Sequence, residues 1–290
     1  MGGGSWTHSS YDAYTTSVRG VSADSFASRM DDDVQDVYRT HHIASELNPK
    51  NVLRECCDSE EHPNTVPVIL ALDVTGSMGS AAVRVAKKLN EIMTSLYTDG
   101  KVKDIEFCIM GIGDLSYDSA PIQISQFESD VRIAEQLDKI YFEGHGGGNS
   151  FESYSAAWYM GVNHCKLDCW KRGRKGIIIT MGDELPNPYL KGKPLAEVTG
   201  DSVQGDVTTK ELLAEAQEKF DIYHISIDDE NTSYSRYKRM CNIDQEWKDL
   251  LHDNYSVATL DNLAVTITDI ITRSNSNNAF VVSDTDAVRW

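Results

Sequence analysis

Residues 66–79 read V-P-V-I-L-A-L-D-V-T-G-S-M-G. A run of seven largely apolar residues leads into Asp73, and Thr75, Ser77 and two glycines follow. An apolar run this short, ending in a polar turn with glycine, predicts a buried parallel strand that delivers side chains to the carboxyl edge of a sheet. Open α/β sheets bind ligands at that edge. Asp73, Thr75 and Ser77 alternate with Val74 and Gly76, so three oxygen-bearing side chains can converge on one point. Hard cations such as Mg²⁺ take oxygen ligands and keep several of their waters.

Working outward, residues 80–98 place Ala82, Val85, Ala86, Leu89, Ile92, Met93 and Leu96 at helical spacing, with Gly100 as a stop signal. Strands are expected at 105–112, at 175–180 with no polar alternation, at 221–227 and at 255–259. Residues 121–127 alternate and suit an antiparallel edge strand. Helices are expected at 131–140, 151–165, 208–220, 236–252 and 260–273, and residues 186–205 read as a long surface loop beside the site. Strands alternating with helices predict an α/β fold: a doubly wound, mostly parallel sheet with helices on both faces and about six strands. Its central strands should include Val68 to Leu72 and Ile177 to Thr180.

The chain divides into a polar N-terminal arm (1–64), an α/β domain (65–275) and a C-terminal tail (276–290). The arm is rich in Ser, Thr, Asp and Tyr and lacks a clear apolar period. It is expected to lie extended on the domain and to be dispensable for folding.

D-x-T-x-S-x-G after a hydrophobic strand resembles the metal-ion-dependent adhesion site (MIDAS) of von Willebrand factor A (vWA) domains. Two further pieces follow in the family's order. The turn G-H-G-G-G-N-S over 144–150 stands where the family has a Gly-rich turn with a threonine ligand. Gly182-Asp183-Glu184, after the strand over 176–181, stands where the family places its third-loop aspartate. The resemblance implies a Rossmann-like vWA fold over roughly 65–275 and a metal site built from Asp73, Thr75, Ser77, Asn149 and Asp183. It implies Mg²⁺, with Mn²⁺ or Ca²⁺ as substitutes. The two hydroxyls would touch the ion, with the carboxylates direct or water-mediated. Asn149 departs from the usual threonine, so the ion would be held there by Asn149, by Ser150, or by the first loop alone. Glu152 and Glu184 are near enough in sequence to add charge.

The family's implied function is metal-dependent protein binding, in which an acidic side chain of a partner fills the cation's open position. In soluble bacterial proteins the resemblance implies a larger cytosolic assembly, often beside an AAA+ ATPase of the MoxR or chelatase type. Two other readings stand beside it. One is a metal-assisted hydrolase using the same ion, for which His145 is the only nearby candidate base. The other is a metal-free structural component, in which Asp73 and Ser77 merely cap the following helix.

Composition narrows the partners. The 290 residues carry a formal net charge of −18 and are 40% hydrophobic, enough for a sizeable core. No basic stripe exists to neutralise phosphates, which argues against nucleic acid and against an anionic membrane surface. Six cysteines are too few for a disulfide scaffold and read as reduced thiols of a cytosolic protein. The N-terminus lacks a signal-peptide pattern, and Trp6 breaks the myristoylation pattern. His164, Cys165 and Cys169 have near-ligand spacing but no second pair, and so do not make a zinc site.

Overall fold

Two strands far apart in sequence, Val66–Asp73 and Gly176–Gly182, lie side by side at the middle of a six-stranded sheet. The computed structural model describes residues 4–29, 32, 37, 40–98, 102–143, 150–238 and 240–277. In chain order the sheet strands are β1 (Val66–Asp73), β2 (Ile105–Ile112), β3 (Ile122–Ile124), β4 (Gly176–Gly182), β5 (Phe220–Ile227) and β6 (Tyr255–Ala258). Their spatial order is β3-β2-β1-β4-β5-β6, and every pairing is parallel except β2 with β3. This is the doubly wound arrangement in which strand order reverses between β1 and β4, the switch point where such sheets form a crevice. Both expected central strands are central, and 121–127 contributes the antiparallel edge.

Alternation along the strands divides the core into two layers. Val68, Leu70 and Leu72 of β1 join Ile177, Ile179 and Met181 of β4 on one face, while Ile69, Ala71 and Ile178 face the other. The first layer is covered by α1 (His8–Arg19), α2 (Ala23–Ser28), α3 (Gly79–Thr98) and α7 (Leu263–Asn277). The second is covered by α4 (Ser155–His164), α5 (Thr209–Lys219) and α6 (Ile243–Leu251). The seven apolar residues of α3 picked out by spacing are all buried. Among the described residues no helix is long and apolar enough to cross a membrane.

The N-terminal segment differs from the expected extended arm. It forms two short capped helices, α1 with a Thr7–Ser10 capping box and an αL Gly20 at its end, and α2 capped by Ser22. Trp6, Tyr11 and Phe26 are each only 4% exposed. The Trp6 indole donates to Asn90 Oδ1 on α3 at 3.3 Å, and Arg19 lies over the Phe26 ring at 4.3 Å. Further on, Arg54–Cys56 pairs in parallel with Cys165–Leu167. A few large apolar side chains, rather than a periodic stripe, hold this segment on α3.

Two other stretches also differ. Residues 186–205 are not a bare loop: Leu185–Pro186 pairs with Phe151–Glu152, Tyr189–Leu190 pairs with Val207–Thr208, and Gly192–Thr199 is a helix anchored by buried Leu195. The helix expected over 236–252 is broken into Ser233–Tyr237 and α6, with Asn242 at φ 56° between them. The C-terminal tail from residue 278 lies outside the described residues.

Candidate functional site

Asp73 is the last residue of β1, and burial removes it entirely from solvent. The chain then turns through 74–78 into α3, where Gly79 at φ +35° opens the helix in a backbone region that residues with a Cβ rarely adopt. Asp73 Oδ1 accepts from the Thr75 backbone N–H at 2.9 Å and from the Thr75 hydroxyl at 2.6 Å. The Ser77 hydroxyl lies 3.1 Å from that of Thr75 and donates to Asp183 Oδ1 at 2.9 Å. Asp183, just past β4, is also fully buried, and its Oδ2 accepts from the Ser233 backbone N–H at 2.6 Å. The structure therefore gathers Asp73, Thr75, Ser77 and Asp183 at the switch point. Asn149, with residues 144–148 including His145, lies outside the described residues, and Ser150 is exposed.

The proton directions matter most. Thr75 is placed to donate to Asp73 and Ser77 to Asp183, and when both do so their oxygens turn lone pairs toward the space between them. Two carboxylates thus orient two hydroxyls as acceptors, an arrangement that suits a hard cation. Helix capping alone leaves unexplained why Ser77 reaches across to a second strand. Among the described residues no group of three or more His, Cys, Asp or Glu side chains is placed to hold a metal. A cation at this point would rest on the Thr75 and Ser77 hydroxyls, with the carboxylates behind them.

Electrostatics support the same fit. Burial, then the nearby charge of Asp183, pushes Asp73 up to about 8, and burial raises Asp183 as well. Glu184 is raised to about 7 by burial. Glu152 is 4% exposed, and its Oε2 has no hydrogen-bond partner among the described residues. Burial, then Asp73, Asp118, Asp114 and Glu184, drives it up to about 11. Four acids packed this closely favour either bound protons or a cation. Arg236 offsets part of the repulsion at Asp183 and Glu184.

Several participants carry no local sequence signal. The Tyr154 phenol donates to Asp73 Oδ2 at 2.7 Å, and the Ser233 backbone closes the far side of Asp183. His224 is fully buried, which drives its pKa well down; it stacks on Trp247 at 3.6 Å and bonds Thr180 at 2.8 Å. His164, by contrast, commits its ring nitrogens to Asp201 at 2.7 Å and the Val52 carbonyl at 2.9 Å, so it serves packing.

No protein-family model matches the chain, and no curated protein matches it. Solved structures do. The pilus adhesin SpaC from Lactobacillus rhamnosus GG, in its open conformation, aligns over 79% of this chain with a TM-score of 0.50 at 14% identity. The strand order and this overlap give the fold. It is a von Willebrand factor A-type α/β fold. The chain covers only 31% of SpaC's length. The vWF domain of the type V pili tip protein Mfa5 from Porphyromonas gingivalis aligns over 74% of this chain and 97% of its own, with a TM-score of 0.47 at 13% identity. A conserved hypothetical protein, BatB from Bacteroides thetaiotaomicron, aligns over 74% and 98%, with a TM-score of 0.42 at 15% identity.

Proposed function

We propose that this chain is a metal-dependent protein-interaction module. The observation that carries the reading is the pair of hydroxyls, Thr75 and Ser77, 3.1 Å apart and each within hydrogen-bond reach of a buried carboxylate, Asp73 and Asp183. Those hydroxyls would hold Mg²⁺, with the two carboxylates behind them and the second-loop ligand coming from Asn149 or Ser150. When bound, the cation supplies a positive pole with one position open to a carboxylate oxygen of a partner.

The chain's own residues do the rest. The carboxylates fix the hydroxyl rotamers, and burial keeps water from competing for Asp73 and Asp183. The short strand pairs and the helix over 185–208 begin two residues past Asp183, and partner choice can be built on that segment. The partner we propose presents Asp or Glu, and a cytosolic assembly with a MoxR-type AAA+ ATPase is the candidate setting. Titration calorimetry with Mg²⁺ tests the site, and a pull-down from the native host in Mg²⁺ and then in chelator tests the module. Retention of the same partners in both buffers overturns the reading. A phosphoester turnover screen with Mg²⁺ separates it from hydrolysis.

A further inference from the structure

We propose that Tyr154 positions Asp73 and thereby sets the site's preference for Mg²⁺ over Ca²⁺, with Gly182 kept free of a side chain to make room for it. The inference rests on the reading of this site as a cation centre and adds a selectivity residue to it.

Tyr154 sits at the N-terminal boundary of α4, on a different chain segment from the oxygens of the site. Its hydroxyl does two things at once. It donates to Asp73 Oδ2 at 2.7 Å and accepts from the Glu184 backbone N–H at 3.3 Å. One phenol oxygen therefore ties the turn after β1 to the turn after β4. Asp73 Oδ1 is already held twice by Thr75. With Oδ2 held as well, both carboxylate oxygens are pinned, and Oδ1 is fixed where the Thr75 hydroxyl meets it at 2.6 Å.

The tyrosine is itself clamped. Its ring meets His224 edge-on at 5.0 Å between centroids and Trp247 at 5.5 Å. Trp247 donates its indole N–H to the Glu184 carbonyl at 3.1 Å, so the clamp and the third loop are one unit. A Cβ added at Gly182 would lie 2.0 Å from the Tyr154 hydroxyl and 2.6 Å from two ring carbons. Gly182 has no unusual backbone angle to explain it. The close approach of the phenol is the reason a glycine stands there.

Rigidity of this kind discriminates between ions. Mg²⁺ is small and demands near-octahedral geometry, whereas Ca²⁺ accepts looser and more variable shells. Outer hydrogen bonds to ligating groups change metal affinity by roughly 10–100-fold. Loosening Asp73 should therefore penalise Mg²⁺ far more than Ca²⁺, a difference that a general loss of folding does not produce.

The experiment titrates the full chain with Mg²⁺ and, separately, with Ca²⁺, for the wild type, Tyr154→Phe and Tyr97→Phe, with a melting curve in chelator for each. Tyr97 is a control whose hydroxyl bonds the Ile105 carbonyl at 2.7 Å, at the opening end of β2. Tyr154→Phe is expected to weaken Mg²⁺ by about tenfold or more and Ca²⁺ by much less. Tyr97→Phe should leave the Mg²⁺/Ca²⁺ ratio unchanged. An unaltered Mg²⁺ affinity in Tyr154→Phe, or an equal loss for both ions, overturns the proposal. If the wild type takes up neither ion, the site reading fails first, and the selectivity role fails with it. Should Tyr154→Phe not fold, Gly182→Ala, which forces the phenol away from Asp73, decides by the same ratio.

Discussion

Ser77 and Asp183 are 106 residues apart in the chain, yet the serine hydroxyl donates to the carboxylate at 2.9 Å across the centre of the sheet. That bond turns Ser77 from a residue of a helix-opening turn into half of a bridge between two strands. Ser77→Ala should abolish Mg²⁺ uptake measured by calorimetry, because one of the two oriented hydroxyls is lost. In chelator the variant should lose only about 1 kcal/mol in a denaturant titration, the ordinary worth of one hydrogen bond. Normal Mg²⁺ binding by Ser77→Ala would rule out the hydroxyl pair as the holder of the ion.

Asp73 and Asp183 repel one another in the metal-free protein. Asp73→Asn keeps the shape of the side chain and removes one charge. It should therefore lose Mg²⁺ binding while melting at or above the wild-type temperature in chelator at pH 8. A clear drop in that melting temperature would show that the charge on Asp73 stabilises the metal-free fold.

The raised pKa of Asp73 also fixes a pH dependence. The folded carboxyl holds its proton up to about 8, whereas an unfolded aspartate releases it near 4. Between those values the native state binds more protons, so metal-free stability falls as pH rises through that window. Glu184, raised to about 7, acts in the same direction. Mg²⁺ competes with these protons, so the Mg²⁺-induced rise in melting temperature should be larger at pH 8 than at pH 5. Equal rises at both pH values would mean that these carboxyls are not linked to the ion.

Trp6 tests the N-terminal segment. It is 4% exposed, packs against the Tyr11 ring at a tilt with 5.0 Å between ring centroids and bonds Asn90 on α3. Trp6→Ala should cost about 3 kcal/mol, within the range of large aromatic truncations in cores. Deleting residues 1–29 should destabilise the domain further, because the face of α3 beneath it then meets water. Unchanged cooperative unfolding in the deletion would show that the segment is merely laid on.

The sheet was legible because its strands are short, unbroken apolar runs: Val68 to Leu72 and Ile177 to Thr180 have no reading other than buried strand. Asp73, Thr75 and Ser77 were legible for a different reason. They sit on alternate residues of one short turn, so local spacing alone brings them together, and Asp183 follows a strand that had to end near them. Tyr154 and Ser233 were not legible, since each reaches the site only through the folded topology. The sequence placed Tyr154 within an expected helix but gave no sign of it as the partner of a carboxylate 81 residues away. The N-terminal helices escaped notice because Trp6, Tyr11 and Phe26 are too widely spaced to form a stripe, and their packing surface is supplied by α3. Leu195 likewise anchors a helix where glycines and prolines suggested a loop.

The pairing of β1 with β4, in register from Val68 opposite Ile177 to Leu72 opposite Met181, has a consequence for the timing of biosynthesis. A nascent chain emerges from its N-terminus, and its early segments begin to fold before the rest is made. The turn after β1 then exists with only half of its oxygens, and the other half arrives when β4 inserts beside it. If the proposed reading holds, an unfinished polypeptide carries only the oxygens of the first turn, and the full set that would hold an ion is assembled only once the middle of the sheet has closed. A truncated or stalled product would then be unable to engage a partner half-made.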